Sequence, residues 1–272
     1  MNTFIFIDGS YFCFYRYHSL ITWWKNAFPE QLDVLENPFQ NEVFLEKYKK
    51  TFIDSMKKIK KGLGLPKQCN PTIVVGKDCK RDQIWRHSLF PNYKTNRDNE
   101  GFMGGPFFKM TYEQDLFIQG GASFVLQHPH LEADDCIAIT VKRLLEKELD
   151  CQIYIITSDK DYLQLAQERV HLFNLGFKDL TEQKSCTKDA KCDLFCKIIC
   201  GDPSDNIPSV FPKCGPKTAL KYFNDSQLLE KKLSESTTYR DVYELNKTLV
   251  DFNCIPEHLV AEFLTNVKLF VS

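Results

Sequence analysis

The sequence has no long hydrophobic run. Its longest apolar stretches, such as Ile153-Tyr154-Ile155-Ile156, fall far short of the roughly 20 residues a membrane-spanning helix needs. The N-terminus carries no basic flank followed by an apolar signal core. The expectation is a soluble, intracellular protein with no membrane partner. No Cys-x-x-Cys pair occurs, and the 11 cysteines are odd in number and scattered singly, which argues against an extracellular disulfide framework. Cys192, Cys196 and Cys200 stand four apart, with Cys186 just before. With no histidine nearby, packing accounts for them better than zinc. Internal repeats and low-complexity tracts are absent. An excess of one charge is missing too: 35 Lys and Arg against 36 Asp and Glu leave a formal charge of −1, whereas nucleic-acid-binding domains are often basic.

What is present is segregated charge. Lys47, Lys49, Lys50, Lys57, Lys58, Lys60 and Lys61 crowd one segment, and Lys77, Lys80, Arg81, Arg86, Lys94 and Arg97 the next. A single basic run is usually a solvated helix face; two in succession beside clustered acids suggest a surface that tracks phosphates. The chain's 272 residues suffice for one large domain with a smaller one appended.

Apolar runs at residues 3–7, 72–75, 123–126, 151–156 and 170–173 read as buried strands. Residues 40–61 read as an amphipathic helix, with Phe44, Tyr48, Phe52, Met56 and Ile59 at three- and four-residue spacing. Another helix opens at Leu131, and a further one is expected after residues 157–161. Strands alternating with helices predict a three-layer α/β fold on a mostly parallel sheet. Residues 1–187 form that domain. Within it, residues 79–121 mix cations, aromatics and glycines in the manner of a lid, a combination that single-stranded nucleic acid rewards. From residue 188 the pattern is helical to the end.

Nine carboxylates fall at predicted strand ends or in the turns that follow: Asp8, Asp78, Glu132, Asp134, Asp135, Asp159, Asp161, Asp202 and Asp205. In a parallel sheet such ends share an edge, so these acids converge and repel one another unless cations bind there. Oxygen-only donors select Mg²⁺, with Mn²⁺ able to substitute. Asp8 can also simply cap the next helix, and acids at 132, 134 and 135 also favour a helix N-terminus. Two ions suit in-line attack on a phosphodiester, one activating water and one stabilising the leaving oxygen, with Lys94 and Arg97 neutralising the scissile phosphate. Tyr11, Tyr15 and Arg16 suit stacking and phosphate contact, or packing. The turn Gly201-Asp202-Pro203-Ser204-Asp205-Asn206-Ile207-Pro208 sets a carboxylate pair beside Gly215-Pro216-Lys217-Thr218, whose helix start can face a phosphate backbone.

The ordered set Asp8-Gly9-Ser10, Asp78 with Trp85-Arg86, Tyr93-Lys94-Thr95-Asn96-Arg97, Glu132-Ala133-Asp134-Asp135, Ser158-Asp159-Lys160-Asp161 and the 201–208 turn resembles the flap endonuclease/5′-nuclease family. The resemblance covers nearly the whole chain. It implies a PIN-like nuclease domain followed by a helix-three-turn-helix module over residues 188–272. It also implies a first metal on Asp8, Asp78, Glu132 and Asp134, and a second on Asp159, Asp161 and Asp205, with Asp135 and Asp202 nearby. Lys94 and Arg97 match the base of a helical arch at residues 79–121, and from the same motifs the resemblance implies Arg86 as a further catalytic residue and Tyr93 as a DNA contact. DNA contact is implied around Ser209, Lys213, Gly215, Lys217 and Thr218, along with a K⁺ in that loop. Lys213 replaces an expected glycine and removes its φ > 0 freedom, which puts the K⁺ in question.

The implied substrate is DNA with a 5′ flap, nick, gap or free 5′ end, cut by a monomer, with no clamp-binding peptide over residues 266–272. A phosphatase would need Asp-x-Asp after the first strand, where Ser10 stands. An RNA-cleaving PIN nuclease and a catalytically silent junction binder are the remaining alternatives.

Overall fold

Five short apolar runs, each ended by a polar or glycine-bearing turn, become the strands of one sheet. The computed structural model describes residues 2–97 and 101–267. The strands are β1 (Asn2–Asp8), β2 (Thr72–Gly76), β3 (Phe124–Leu126), β4 (Cys151–Ile156) and β5 (Val170–Phe173). They lie in the order β3-β2-β1-β4-β5, and every pairing is parallel. β1 is central, with Asp8 opposite Gly76 on one side and Ile7 opposite Ile156 on the other. The chain winds outward from β1 to β3 and then returns to β4, so the winding reverses between β1 and β4. Open α/β sheets bind their ligands at such a reversal.

Alternation along β1 splits the core into two layers. Ile5 and Ile7 face α1 (Gly9–Ala27), α2 (Glu42–Gly62), α3 (Gly105–Glu113) and α4 (Leu116–Gln119), while Phe4 and Phe6 face α5 (Ala133–Lys147). α2 starts where the Asn41 side chain accepts from the Phe44 amide (2.9 Å). It buries Phe44, Tyr48, Phe52, Met56 and Ile59 fully, each contributing about 1.5–3 kcal/mol of burial. The second half of the 79–121 segment packs in the same layer, with Phe107, Met110, Leu116 and Phe117 buried. Residues 98–100 lie outside the described part.

One expected element is different. After residues 157–161 there is no α-helix but a six-residue 3-10 turn, Lys160–Leu165. The Asp159 carboxylate accepts from the Asp161 amide (3.0 Å) and tightens this turn, and β5 begins at Val170, too soon for an α-helix to cross the sheet.

The last part of the chain is helical, with α6 (Ala190–Cys200), α7 (Pro216–Asn224), α8 (Ser226–Leu233), α9 (Thr237–Val250) and α10 (Glu257–Asn266). Ile199, Val210, Phe211, Ala219, Leu229 and Leu233 form a small core among α6, α7 and α8. α10 instead turns back, and its Leu259 and Phe263 join the sheet core beside Ile137 and Val141 of α5. The C-terminal residues from 268 on, where the absence of a clamp peptide was expected, are outside the described part. Among the described residues no helix is long and apolar enough to cross a membrane.

Candidate metal centre and nucleic-acid interface

The sheet's C-terminal edge gathers Asp8, Asp78 and Asp159 because each follows a strand, and Glu132 and Asp134 because they open α5. Asp8 ends β1 and caps α1, accepting from the Tyr11 amide (3.0 Å) and Thr157 Oγ1 (3.3 Å). Asp78, two residues past β2, accepts from Ser10 Oγ and from the Ala133 amide (2.8 Å), which ties it to the start of α5. Asp8, Asp78, Glu132, Asp134 and Asp159 line one cavity of about 350 Å³, together with Lys94, Arg97, Phe14 and Phe108. Enclosure in the cleft, then the Asp78 charge, pushes the Asp8 carboxyl up to about 7. Enclosure with Asp135 and Glu132 alongside raises Asp134 well above the usual carboxylate range. Glu132 goes the other way: burial alone would raise it, but Lys94 and Arg86 hold it below its ordinary value. Ligand atoms of Glu132, Asp134 and Asp135 come within 4.8 Å of one another, as cation binding requires.

Arg86 and Asp135 lie beneath this cavity. Arg86 is 2 % exposed. It forks onto Asp135 (2.7 and 2.8 Å), reaches Glu132 Oε2 (2.8 Å), and donates from Nε to the Leu249 carbonyl (2.7 Å). Asp135 also accepts from Trp85 Nε1 (3.0 Å) and the Glu132 amide (3.1 Å). With four of its five N–H donors engaged and its guanidinium sealed, Arg86 positions Glu132. Arg86, which the sequence analysis expects to be catalytic, does not line the cavity that would hold a substrate.

The basic segment sits on the 202–206 turn. The Lys94 amide donates to the Asp205 carbonyl (3.0 Å), Asn96 Nδ2 to the Pro203 carbonyl (2.6 Å), Arg97 Nε to the Ser204 carbonyl (3.2 Å), and Asn206 Nδ2 to the Asn92 carbonyl (2.9 Å). Lys94 takes φ 56°, a left-handed backbone that costs a non-glycine residue about 1 kcal/mol. Its ammonium meets Glu132 Oε1 (2.5 Å) and Asp205 Oδ2 (3.8 Å), while Arg97 pairs with Asp205 Oδ1. Tyr93 is buried, its hydroxyl donating to Glu132 Oε2 (3.2 Å) and Asp205 Oδ2 (3.4 Å).

The remaining acids lie to one side. Asp159 also borders a larger cavity of about 850 Å³, which Asp161 and Asp202 line with Lys160, Lys184, Lys197 and Lys217. The nine carboxylates thus divide. Five line the first cavity, Asp161 and Asp202 line the second, Asp205 bridges to the basic segment, and Asp135 pairs with Arg86 beneath the first.

This arrangement has counterparts. Residues 3–193 match the family described as 5′-3′ exonuclease, N-terminal resolvase-like domain. The chain belongs to the 5′-3′ exonuclease family. It is 32 % identical over 177 residues to DNA polymerase I of Treponema pallidum (strain Nichols), covering 61 % of this chain and 16 % of that protein. It is 30 % identical over 163 residues to the 5′-3′ exonuclease of Bacillus subtilis (strain 168), covering 56 % and 51 %. The chain thus spans about half or less of the length of these relatives. Its fold is that of bacteriophage T5 5′-exonuclease with divalent zinc bound (TM-score 0.66, 17 % identity, 100 % of both chains). The same holds for bacteriophage T5 flap endonuclease in a complex with DNA and metal ions (TM-score 0.64, 15 % identity, 97 % of both). The PIN-like α/β sheet expected from the sequence is therefore present.

Elsewhere in this exonuclease-family chain, the nucleic-acid candidates fall in two places, the start of α1 and the loop between α6 and α7. Tyr11 lines the smaller cavity and accepts from the Leu175 amide (3.0 Å), while Tyr15 is exposed. Arg16 is partly enclosed, and burial lowers its pKa. In the loop between α6 and α7, Ser209 donates to the Phe211 carbonyl (3.0 Å). Gly215 caps α7, and Lys217 and Thr218 follow in its first turn. Lys213 holds φ 55°, so the lysine keeps the left-handed backbone that a glycine would have made easy. Two residues escaped the sequence analysis. Phe14, half exposed, lines the cavity and stacks on Phe102 at 5.6 Å. Lys197 contacts both Asp161 and Asp202. Phe14 was hidden in an aromatic-rich helix, and only the five-residue step from Lys197 to Asp202 hinted at that pair.

Proposed function

We propose that the chain is a structure-specific 5′-nuclease that hydrolyses DNA phosphodiesters near single/double-strand junctions. The observation that carries this is the cavity lined by Asp8, Asp78, Glu132, Asp134 and Asp159 with Lys94 and Arg97 at its edge. The donors fit divalent cations: all are oxygens, and Asp8 and Asp134 are raised by enclosure and then by neighbouring carboxylates. Asp8, Asp78, Glu132 and Asp134 would hold one Mg²⁺ or Mn²⁺, and Asp159, Asp161 and Asp205 a second, with Asp202 beside it. Such ions supply Lewis acidity to a phosphodiester and its attacking water. Everything else is done by the chain. Lys94 and Arg97 trade their carboxylate partners for the scissile phosphate. Arg86 and Tyr93 hold Glu132 in place, and Phe14 offers a face to an unstacked base.

The division of labour proposed is a nuclease part over residues 1–187, with residues 79–121 bordering the path of the strand, and a DNA-gripping helix-three-turn-helix part over residues 188–272. Ser209, Lys213, Gly215, Lys217 and Thr218 would meet the duplex backbone, and a K⁺ held by loop carbonyls fits the left-handed turn at Lys213. The substrate is DNA with a 5′ flap, nick, gap or free end, bound by a monomer.

The test uses a 5′-labelled duplex carrying a single-stranded 5′ flap, with Mg²⁺ or EDTA. Mg²⁺-dependent release of the flap near the junction is expected, lost in an Asp159→Ala/Asp161→Ala variant. Tight junction binding without any cleavage would replace the nuclease with a silent binder.

A further inference from the structure

One cation already stands among the carboxylates of the larger cavity. The Lys197 side chain leaves α6 and places its ammonium between Asp161 Oδ1 and Asp202 Oδ2, the latter at 2.9 Å. It is 17 % exposed. The two acids come from separate elements, the 3-10 turn after β4 and the turn after α6, so the lysine joins the sheet to the helical part. Burial alone would raise Asp202, yet Lys197 together with hydrogen bonds from Ser204 pulls it down to about 2.

An ammonium bridging two carboxylates takes the oxygens that a divalent ion would need. The two cations repel each other strongly at such separations in a half-buried site. We infer that Lys197 is an internal counter-ion, occupying the Asp161–Asp202 end of the centre in the DNA-free chain and leaving before a second divalent ion is held there. This rests on the two-ion nuclease proposed above and adds an order to it: the end around Asp8, Asp78, Glu132 and Asp134 loads first.

Lys94 is placed similarly between Glu132 and Asp205, but its backbone is pinned by the Asp205 carbonyl and a left-handed φ. Lys197 rides on a regular helix, so its four-carbon stem can swing without any backbone change. It has somewhere to go. Lys160, Lys184 and Lys217 line the same cavity, and a DNA phosphate drawn to them would lie next to Lys197 and offer it a replacement anion. DNA arrival and second-ion binding then favour each other.

The experiment is calorimetric titration of the full chain, stripped with EDTA, with Mn²⁺. The wild type is expected to bind in a tight and a weak step. Lys197→Met should leave the tight step alone and tighten the weak one on the order of tenfold, the amount a half-buried ion pair is worth. Lys197→Arg should keep it weak. A second readout needs no variant: amine acylation followed by mass spectrometry, in which Lys197 should react several-fold faster once Mn²⁺ is saturating, while exposed Lys191 does not change. An unchanged or weakened second step in Lys197→Met, or unchanged Lys197 acylation, overturns the inference while leaving the nuclease intact. A wild type that binds one ion or none overturns the two-ion reading and the inference with it. Should Lys197→Met fail to fold, the acylation result on the wild type decides.

Discussion

Asp8 sits where a carboxylate is least comfortable without a cation: at the end of a central strand, enclosed, and beside Asp78. Its pKa of about 7 lies well above the ordinary aspartate value, which has a direct consequence for stability. A carboxyl whose folded pKa is raised favours the folded state below its unfolded pKa and loses that contribution as pH climbs through the folded one. In EDTA, thermal stability should therefore fall between about pH 4 and pH 8. Asp8→Asn should flatten this profile and raise the melting temperature at pH 8 by about 5 °C, read by circular dichroism. Saturating Mg²⁺ should restore the wild type at pH 8 and raise the variant by less. A variant that melts lower than wild type in EDTA at pH 8 would contradict the strain argument. At this scale the sequence was partly readable. Asp8, Asp78 and Glu132 could be placed because each follows an apolar run and the strands are parallel. That Arg86 would be sealed under Glu132 could not, because its partner at Leu249 is 163 residues away and no local pattern encodes that bond.

The elements were more legible than their connections. All five strands stand where short apolar runs end in turns, and α2 stands where apolar residues recur every three or four positions. The 3-10 turn at Lys160–Leu165 was not legible, because its shortness is set by how soon β5 must begin. The loop between α6 and α7 shows the opposite case, in which a residue accepts a backbone it does not prefer. Gly201 takes φ 70°, and a Cβ there would come within 2.4 Å of the Pro208 carbonyl oxygen, so glycine is required. Lys213 holds a similar φ without that excuse. Lys213→Gly should stabilise the chain by about 0.5 kcal/mol, the left-handed cost less the added chain entropy of glycine. Urea denaturation measures this. Loss of the charge should at the same time lower the salt dependence of duplex binding by about one phosphate contact.

For the molecule as a whole, the helical part and the sheet share their interior. Leu259 and Phe263 of α10 lie in the sheet core. Gln164 also clamps the stretch after α9, donating to the Val250 carbonyl (3.0 Å) and accepting from the Phe252 amide (2.9 Å). Denaturant should therefore unfold the chain in one transition, with tryptophan fluorescence and far-ultraviolet dichroism coinciding. Two separated transitions would mean that the parts are thermodynamically independent.

The Arg86–Leu249 bond also sets a clock on biosynthesis. A chain leaving the ribosome exposes β1, Arg86, Glu132 and Asp135 early, but the carbonyl that completes the arginine's set of partners is made 163 residues after it, about 8 to 30 seconds later at ordinary elongation rates. Glu132 and Asp135 follow the arginine by 46 and 49 residues, so for most of that interval it lacks only the Leu249 carbonyl, and Asp205 arrives only part-way through. The centre therefore closes late, when nearly every described residue has been translated, and a half-made chain lacks the complete carboxylate floor.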